Sequence, residues 1–184
     1  MSKRILVTYA TRAGSTADVA EAIGKTLAED GWTVDVRPMK DVTDLAPYQA
    51  VVAGSAIQSA RWLPEAMEFI QTNQAALLQK PCAVFLVCMT LAMPNADKYR
   101  AFVADFLQPV RVVVKPVSEG LFAGALDISK VPSLWDRLKF RLSVMSGVWS
   151  EGDHRDWNAI RAWANSLRPL LLQYLNTCTR GAEI

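Results

Sequence analysis

The chain is poor in the residue types that most often announce chemistry. It carries one histidine, His154, and three cysteines in 184 residues, too few for a histidine-built metal centre or a disulfide framework. Cys82, Cys88 and Cys178 have no metal-ligand spacing, and an odd number cannot all pair within one chain. Two of them sit in an apolar run, so buried free thiols in a reducing cytoplasm are expected. No apolar run approaches the roughly 20 residues that cross a bilayer. The N-terminal Ile5-Leu6-Val7 gives way at once to polar residues, unlike a signal peptide. Net charge is only +2, which neither demands nucleic acid nor gives the acidic surface of a dedicated soluble electron shuttle. Glycine is sparse, with nine residues. None of them completes G-x-G-x-x-G or Gly-Lys-Ser/Thr after the first strand, so the dinucleotide and Walker patterns are excluded.

What is present is apolar material in strand and helix periods. At 51% hydrophobic residues the chain can fill one core, and residues 1–184 read as a single domain. Arg4 to Thr8 reads as a buried strand. A helix follows with Val19, Ile23 and Leu27 one turn apart, running to about Asp30 and ended by Gly31. Ser15 with Asp18 three positions on fits a capping box. Trp32 to Arg37 alternates like an edge strand closed by Pro38, and Tyr48 to Ser55 reads as a buried strand. Pro64 starts a helix lined by Leu63, Met67, Ile70 and Leu77, and Cys82 to Cys88 reads as a central strand. A helix with Tyr99, Phe102, Val103 and Phe106 on its apolar face follows. The β-branched run Val110 to Val114 is then the fifth strand. Strand and helix thus alternate as in an α/β three-layer sandwich: a five-stranded parallel sheet of order 2-1-3-4-5 with helices on both faces.

From about 118 to 152 the alternation breaks in an insert longer than a connection needs, containing Pro132 and Gly147. Within it Leu134, Leu138, Leu142, Met145 and Trp149 recur at helical spacing beside Arg137, Lys139 and Arg141. Such a basic amphipathic helix can lie on a membrane surface or dock a partner, or its stripe can pack back onto the domain. A last helix, from near Asp153 through Trp157, Ile160, Ala164, Leu167 and Leu171, covers the sheet and is kinked or interrupted by Pro169.

In a sheet of this order the ligand crevice lies beyond the C-terminal ends of the first and third strands. The loops that converge there are Thr11 to Thr16, Ser55 to Trp62 and Met89 to Pro94. The first joins a strand to a helix N-terminus whose unpaired N–H groups suit a phosphate, although a Ser/Thr/Gly stretch there can equally be a plain cap. Trp62 is a core residue or a ligand contact. No acid–base dyad is visible, and His154 lies far from these loops in sequence.

Thr11-Arg12-Ala13-Gly14-Ser15-Thr16 resembles the T-x-T-G-x-T phosphate loop of flavodoxins, with Ala13 where a hydroxylated residue is usual. A closer resemblance is to the flavodoxin-like, menaquinone-dependent protoporphyrinogen IX dehydrogenases. It is carried by Gly54-Ser55-Ala56-Ile57, Phe122 to Leu126, Trp135-Asp136-Arg137, Met145-Ser146-Gly147 and Asp156-Trp157. The resemblance implies FMN as cofactor, with its phosphate on Thr11, Arg12, Ala13, Gly14, Ser15 and Thr16 and its ring between Ser55-Ala56-Ile57 and Thr90-Leu91. The flavin itself would be the reactive group. Electrons would pass from a porphyrinogen to a quinone or a redox-partner protein, with Arg61, Arg137 or Arg141 either facing substrate carboxylates or simply solvated at the surface. The free thiols point to a cytoplasmic location, and the basic amphipathic pattern of the insert helix allows peripheral membrane contact on the cytoplasmic face. The alternative is a flavodoxin-type electron-transfer protein with no substrate of its own.

Overall fold

In the computed structural model, residues 4–29, 31–130, 133–147 and 150–180 are described. Asp30, Pro132 and Trp149 lie outside them, as does the side chain of Cys178. The elements in order are β1 (Arg4–Ala10), α1 (Ser15–Ala28), β2 (Thr33–Pro38), β3 (Ala50–Gln58), β4 (Arg61–Trp62), α2 (Pro64–Thr72), α3 (Gln74–Leu78) and β5 (Cys82–Val87). They continue with α4 (Arg100–Ala104), α5 (Gln108–Val113), β6 (Ser118–Phe122), β7 (Ala125–Leu126), α6 (Leu134–Met145), β8 (Gly152–Asp153) and α7 (Trp157–Arg180). The main sheet runs β2-β1-β3-β5-β6, all parallel, with β4 folded antiparallel onto the end of β3. Setting that short β4 aside, the expected order of the long strands holds.

Alternation along the buried strands builds two cores, because successive side chains leave a strand on opposite faces. Leu6, Val51, Val84 and Leu86 point to one face and meet Leu63, Ile70, Leu77, Val103, Leu107 and Val110. Ile5, Val7, Val52, Phe85 and Val87 point to the other and meet Val19, Ile23 and Leu27 of α1 with Ile160, Ala164, Leu167 and Leu171 of α7. The edges of Phe122 and Phe85 meet Trp163, so the early α7 tryptophans do cover the sheet. Burial pushes the Cys82 thiol up to about 12, which keeps it protonated.

Several expectations are corrected. Val110 to Val114 is not the fifth strand: Gln108–Val113 is helical, with Pro109 in its first turn. Val103, Leu107, Val110 and Val114 are fully buried while Val112 is 83% exposed, a three-and-four spacing that β-branching had masked. The fifth strand of the sheet is Ser118–Phe122, so the first residues assigned to the insert belong to the sheet. In the preceding helical segment the apolar face is Val103 with Leu107, whereas Tyr99 and Phe102 are exposed. The helix after Pro64 breaks in two at Asn73, whose side-chain amide donates to the Phe69 carbonyl at 2.9 Å.

The capping box at Ser15 does not form. Gly14 is the N-cap, left-handed at φ 91°, and no side chain caps the helix. That places Ser15 inside the first turn, one residue too late to cap. Helix α7 continues through Pro169 without interruption. The stripe of α6 does not pack back onto the domain: none of that helix's residues is buried. No helix among the described residues is long and apolar enough to cross a membrane.

Candidate functional site

The fold brings the predicted loops together beyond the C-terminal ends of β1 and β3. There a cavity of about 560 Å³ opens, within the range of small-molecule and cofactor pockets. One wall is the loop leaving β1, represented by Thr11, Arg12, Ala13 and Ser15; a second is Ala56 to Ser59, at and beyond the end of β3; Val87 and Met89 close the side toward β5. The far wall comes from the segment after β6: Gly124 to Asp127, then Ser133, Asp136, Lys139 and Phe140 of the α6 region.

The β1 loop turns directly into a helix start. Thr11 Oγ1 accepts from the Gly14 N–H at 3.1 Å, which folds the loop and leaves the threonine O–H to donate elsewhere. Gly14 at φ 91° then turns the chain into α1, whose first N–H groups have no intrahelical acceptor and whose dipole is positive there. Thr16 is fully buried, and its Oγ1 has no hydrogen-bond partner. Thr16 itself is not in the cavity lining but follows Ser15, which is, and a phosphate oxygen at this uncapped helix start would give its hydroxyl an acceptor.

The surrounding charges are paired. Arg12 makes a two-pronged ion pair with Glu65 in the first turn of α2. That hydrogen bonding holds the Glu65 carboxyl below the ordinary carboxylate range. Arg12 thus lines the cavity with its guanidinium held by Glu65. Asp18, in the first turn of α1, is offset by Arg155 at 2.7 Å. Arg155 also bonds Asp153 and lies 4.4 Å over the Trp157 ring.

Of the other expected contacts, Ala56 and Ile57 line the cavity. Ser55 is buried behind it, accepting from the Leu63 N–H at 3.1 Å and donating to the Ala56 carbonyl. Thr90 and Leu91 do not reach the cavity; they lie in a short 3-10 turn, with Leu91 in the core, and Met89 takes that side instead. Trp62 is 4% exposed and belongs to the core. Arg61, Arg137 and Arg141 do not line the cavity, whereas Lys139 does, 3.5 Å from Asp136.

The wall after β6 was legible only as a resemblance around Phe122 to Leu126. Its tertiary cause is the β7–β8 ladder, which pairs Ala125 with Asp153 and clamps the insert's base. His154 joins that clamp through its backbone, donating to the Gly124 carbonyl at 3.2 Å, while its ring contacts Ser150. A Cβ on Gly124 would come within 3.2 Å of both Met89 and Val87 and 3.6 Å of Ser15, so a bare backbone lets the insert approach the β1 loop. At the end of β3 the cavity's edge is strained: Ser59 and Ala60 both hold positive φ, as a two-residue hairpin turn requires.

A family described as flavodoxin domain matches residues 6–155. No curated protein matches the chain. Among solved structures, the flavodiiron core of Synechocystis sp. PCC6803 is similar at TM-score 0.52 and 13% identity, covering 92% of this chain and 37% of its own. A short-chain flavodoxin associated with a PDU bacterial microcompartment is similar at 0.51 and 17% identity, covering 79% and 99%. The two-electron reduced flavodoxin of Megasphaera elsdenii is similar at 0.50 and 15% identity, covering 70% and 88%.

Proposed function

Because this chain belongs to the flavodoxin domain family, matched over residues 6–155, we propose that it is an FMN oxidoreductase moving electrons from a porphyrinogen-like donor to a quinone. Flavodoxins bind FMN and transfer electrons to redox partners. The residues present fit that cofactor: Thr11 and Ser15 of the lining, with the start of α1 and the unpaired hydroxyl of the adjacent buried Thr16, would hold the phosphate, and the walls at Ala56 to Ser59 and Met89 would hold the remainder. When bound, the flavin accepts hydride or electrons and releases them again. The protons and electrons lost by the donor balance those that turn quinone into hydroquinone.

The observation that carries the reading beyond a plain carrier is the far wall. A carrier needs only an exposed edge of its cofactor for a partner to approach. Here α6 and the β7 region add a wall to the cavity and bring Lys139 and Asp136 into its lining, 3.5 Å apart. An added wall with a cation suits a bulky donor that bears carboxylates. The purified, FMN-loaded protein is expected to oxidise protoporphyrinogen IX with a quinone as acceptor, and Lys139→Ala to raise KM more than it lowers kcat. A folded, flavin-loaded sample that leaves the porphyrinogen untouched, yet exchanges electrons with a flavodoxin reductase, would make the protein a carrier instead.

A further inference from the structure

Helix α6 has two faces, and only one is used by the molecule. At about 100° per residue, Asp136 and Phe140, preceded by Ser133, share the side that lines the cavity. The nearly opposite side carries Leu134, Trp135, Leu138, Leu142 and Met145. They are 76%, 75%, 49%, 57% and 84% exposed, a stripe of large apolar side chains left open among the described residues. The helix cannot roll to hide the stripe without withdrawing Asp136 and Phe140 from the cavity. It bears three cations, Arg137, Lys139 and Arg141, and a single carboxylate, Asp136. By helical geometry Arg137 and Arg141 rim one side of the stripe and Lys139 the other.

We propose that α6 is an interfacial anchor, its Leu134–Trp135–Leu138–Leu142 stripe seated in an anionic lipid surface with Arg137 and Arg141 against the headgroups. A stripe of large apolar residues containing tryptophan and rimmed by cations is the composition that lies in the plane of a bilayer surface. Charge selects this occupant over a second copy of the chain: stacking two such stripes would bring like cations together, whereas acidic headgroups complement them. On the quinone reading given above, on which this consequence rests, the same helix holds the cavity against the phase in which a lipid-dissolved acceptor resides.

The test uses the FMN-loaded full chain with vesicles of phosphatidylcholine alone and of phosphatidylcholine containing phosphatidylglycerol. Flotation is expected with the anionic vesicles only, declining as salt is added. Combined Trp135→Ser, Leu138→Ser and Leu142→Ser substitution is expected to weaken the partition more than about a hundredfold, with FMN content and thermal midpoint unchanged because these side chains are exposed. Arg141→Ala alone is expected to weaken it about fivefold. Equal flotation of the wild type and the triple variant would overturn the proposal, as would absence of binding at low salt or a dimer in sedimentation that the triple variant abolishes. Turnover separates this inference from the functional reading. The triple variant is expected to keep activity with a water-soluble quinone and lose it with a vesicle-embedded one. A wild type that binds vesicles but turns over neither quinone leaves the lipid surface standing and removes the oxidoreductase reading.

Discussion

Thr16 concentrates the argument at the scale of single residues. Its hydroxyl is buried with no hydrogen-bond partner, and a phosphate oxygen would supply one. Thr16→Val, which keeps the shape and removes the hydroxyl, is expected to weaken FMN binding by roughly tenfold or more, as for a hydrogen bond to a charged group. The same change is expected to leave the apoprotein's thermal midpoint unaltered or raised; flavin fluorescence quenching and a melting curve read the two effects. Asp153 supplies a pH dependence. Hydrogen bonds from Arg155 lower its carboxyl from 3.8 to about 2. The folded state thus favours the ionised form. Its contribution is complete above the unfolded value of 3.8 and is lost as pH falls through about 2. Acid unfolding followed by circular dichroism is expected to lose part of its slope between those values in Asp153→Asn.

The run Val110 to Val114 is where one periodicity displaced another at the scale of elements. In a strand, Val110, Val112 and Val114 would share a face. In the helix Val110 is fully buried and Val112 is 83% exposed. Val110→Ala is therefore expected to cost about 2 kcal/mol and Val112→Ala close to nothing in chemical denaturation, whereas a strand would make the two costs similar. The β1 loop shows how an element's start can be specified by conformation instead of by a cap. Gly14 takes φ 91° with open space around its α-carbon, so an alanine there would suffer backbone strain without collision. Gly54 differs: a Cβ on that β3 residue would fall within the Phe85 ring.

The molecule as a whole depends on a helix that follows the family match. That match ends at residue 155, yet Ile160, Ala164, Leu167 and Leu171 of α7 are fully buried against β3, β5 and α1. Arg168 adds a bond to the Thr26 carbonyl at 2.7 Å, fastening α7 to α1. Leu167→Ala is expected to cost about 3 kcal/mol, and a chain ended at residue 156 to lack a cooperative thermal transition, since one face of the sheet would lie open to water. The far side of the α1 N-terminus is tied in by Arg155, which joins β8 to Asp18. The start of α1 and the base of the insert are thereby joined.

The sequence by itself determined the layered α/β architecture and the loop after β1, because both are written in short-range signals: apolar runs for buried strands, one-turn spacings for helices, and a Ser/Thr/Gly cluster between them. Ala56, Ile57 and the β1 loop reached the cavity on topology alone, since parallel strands must present their C-terminal ends together. The tertiary structure decided what no local pattern encodes. It made Val110 helical because the burial of Val103 and Leu107 sets a helical register. It assigned the fifth strand to Ser118–Phe122 through pairing with β5. It spent Arg12 on Glu65, replaced Thr90 and Leu91 with Met89, and turned the insert into a cavity wall. Each of these depends on contacts between residues distant in sequence, where the partner and not the residue's own type fixes the outcome.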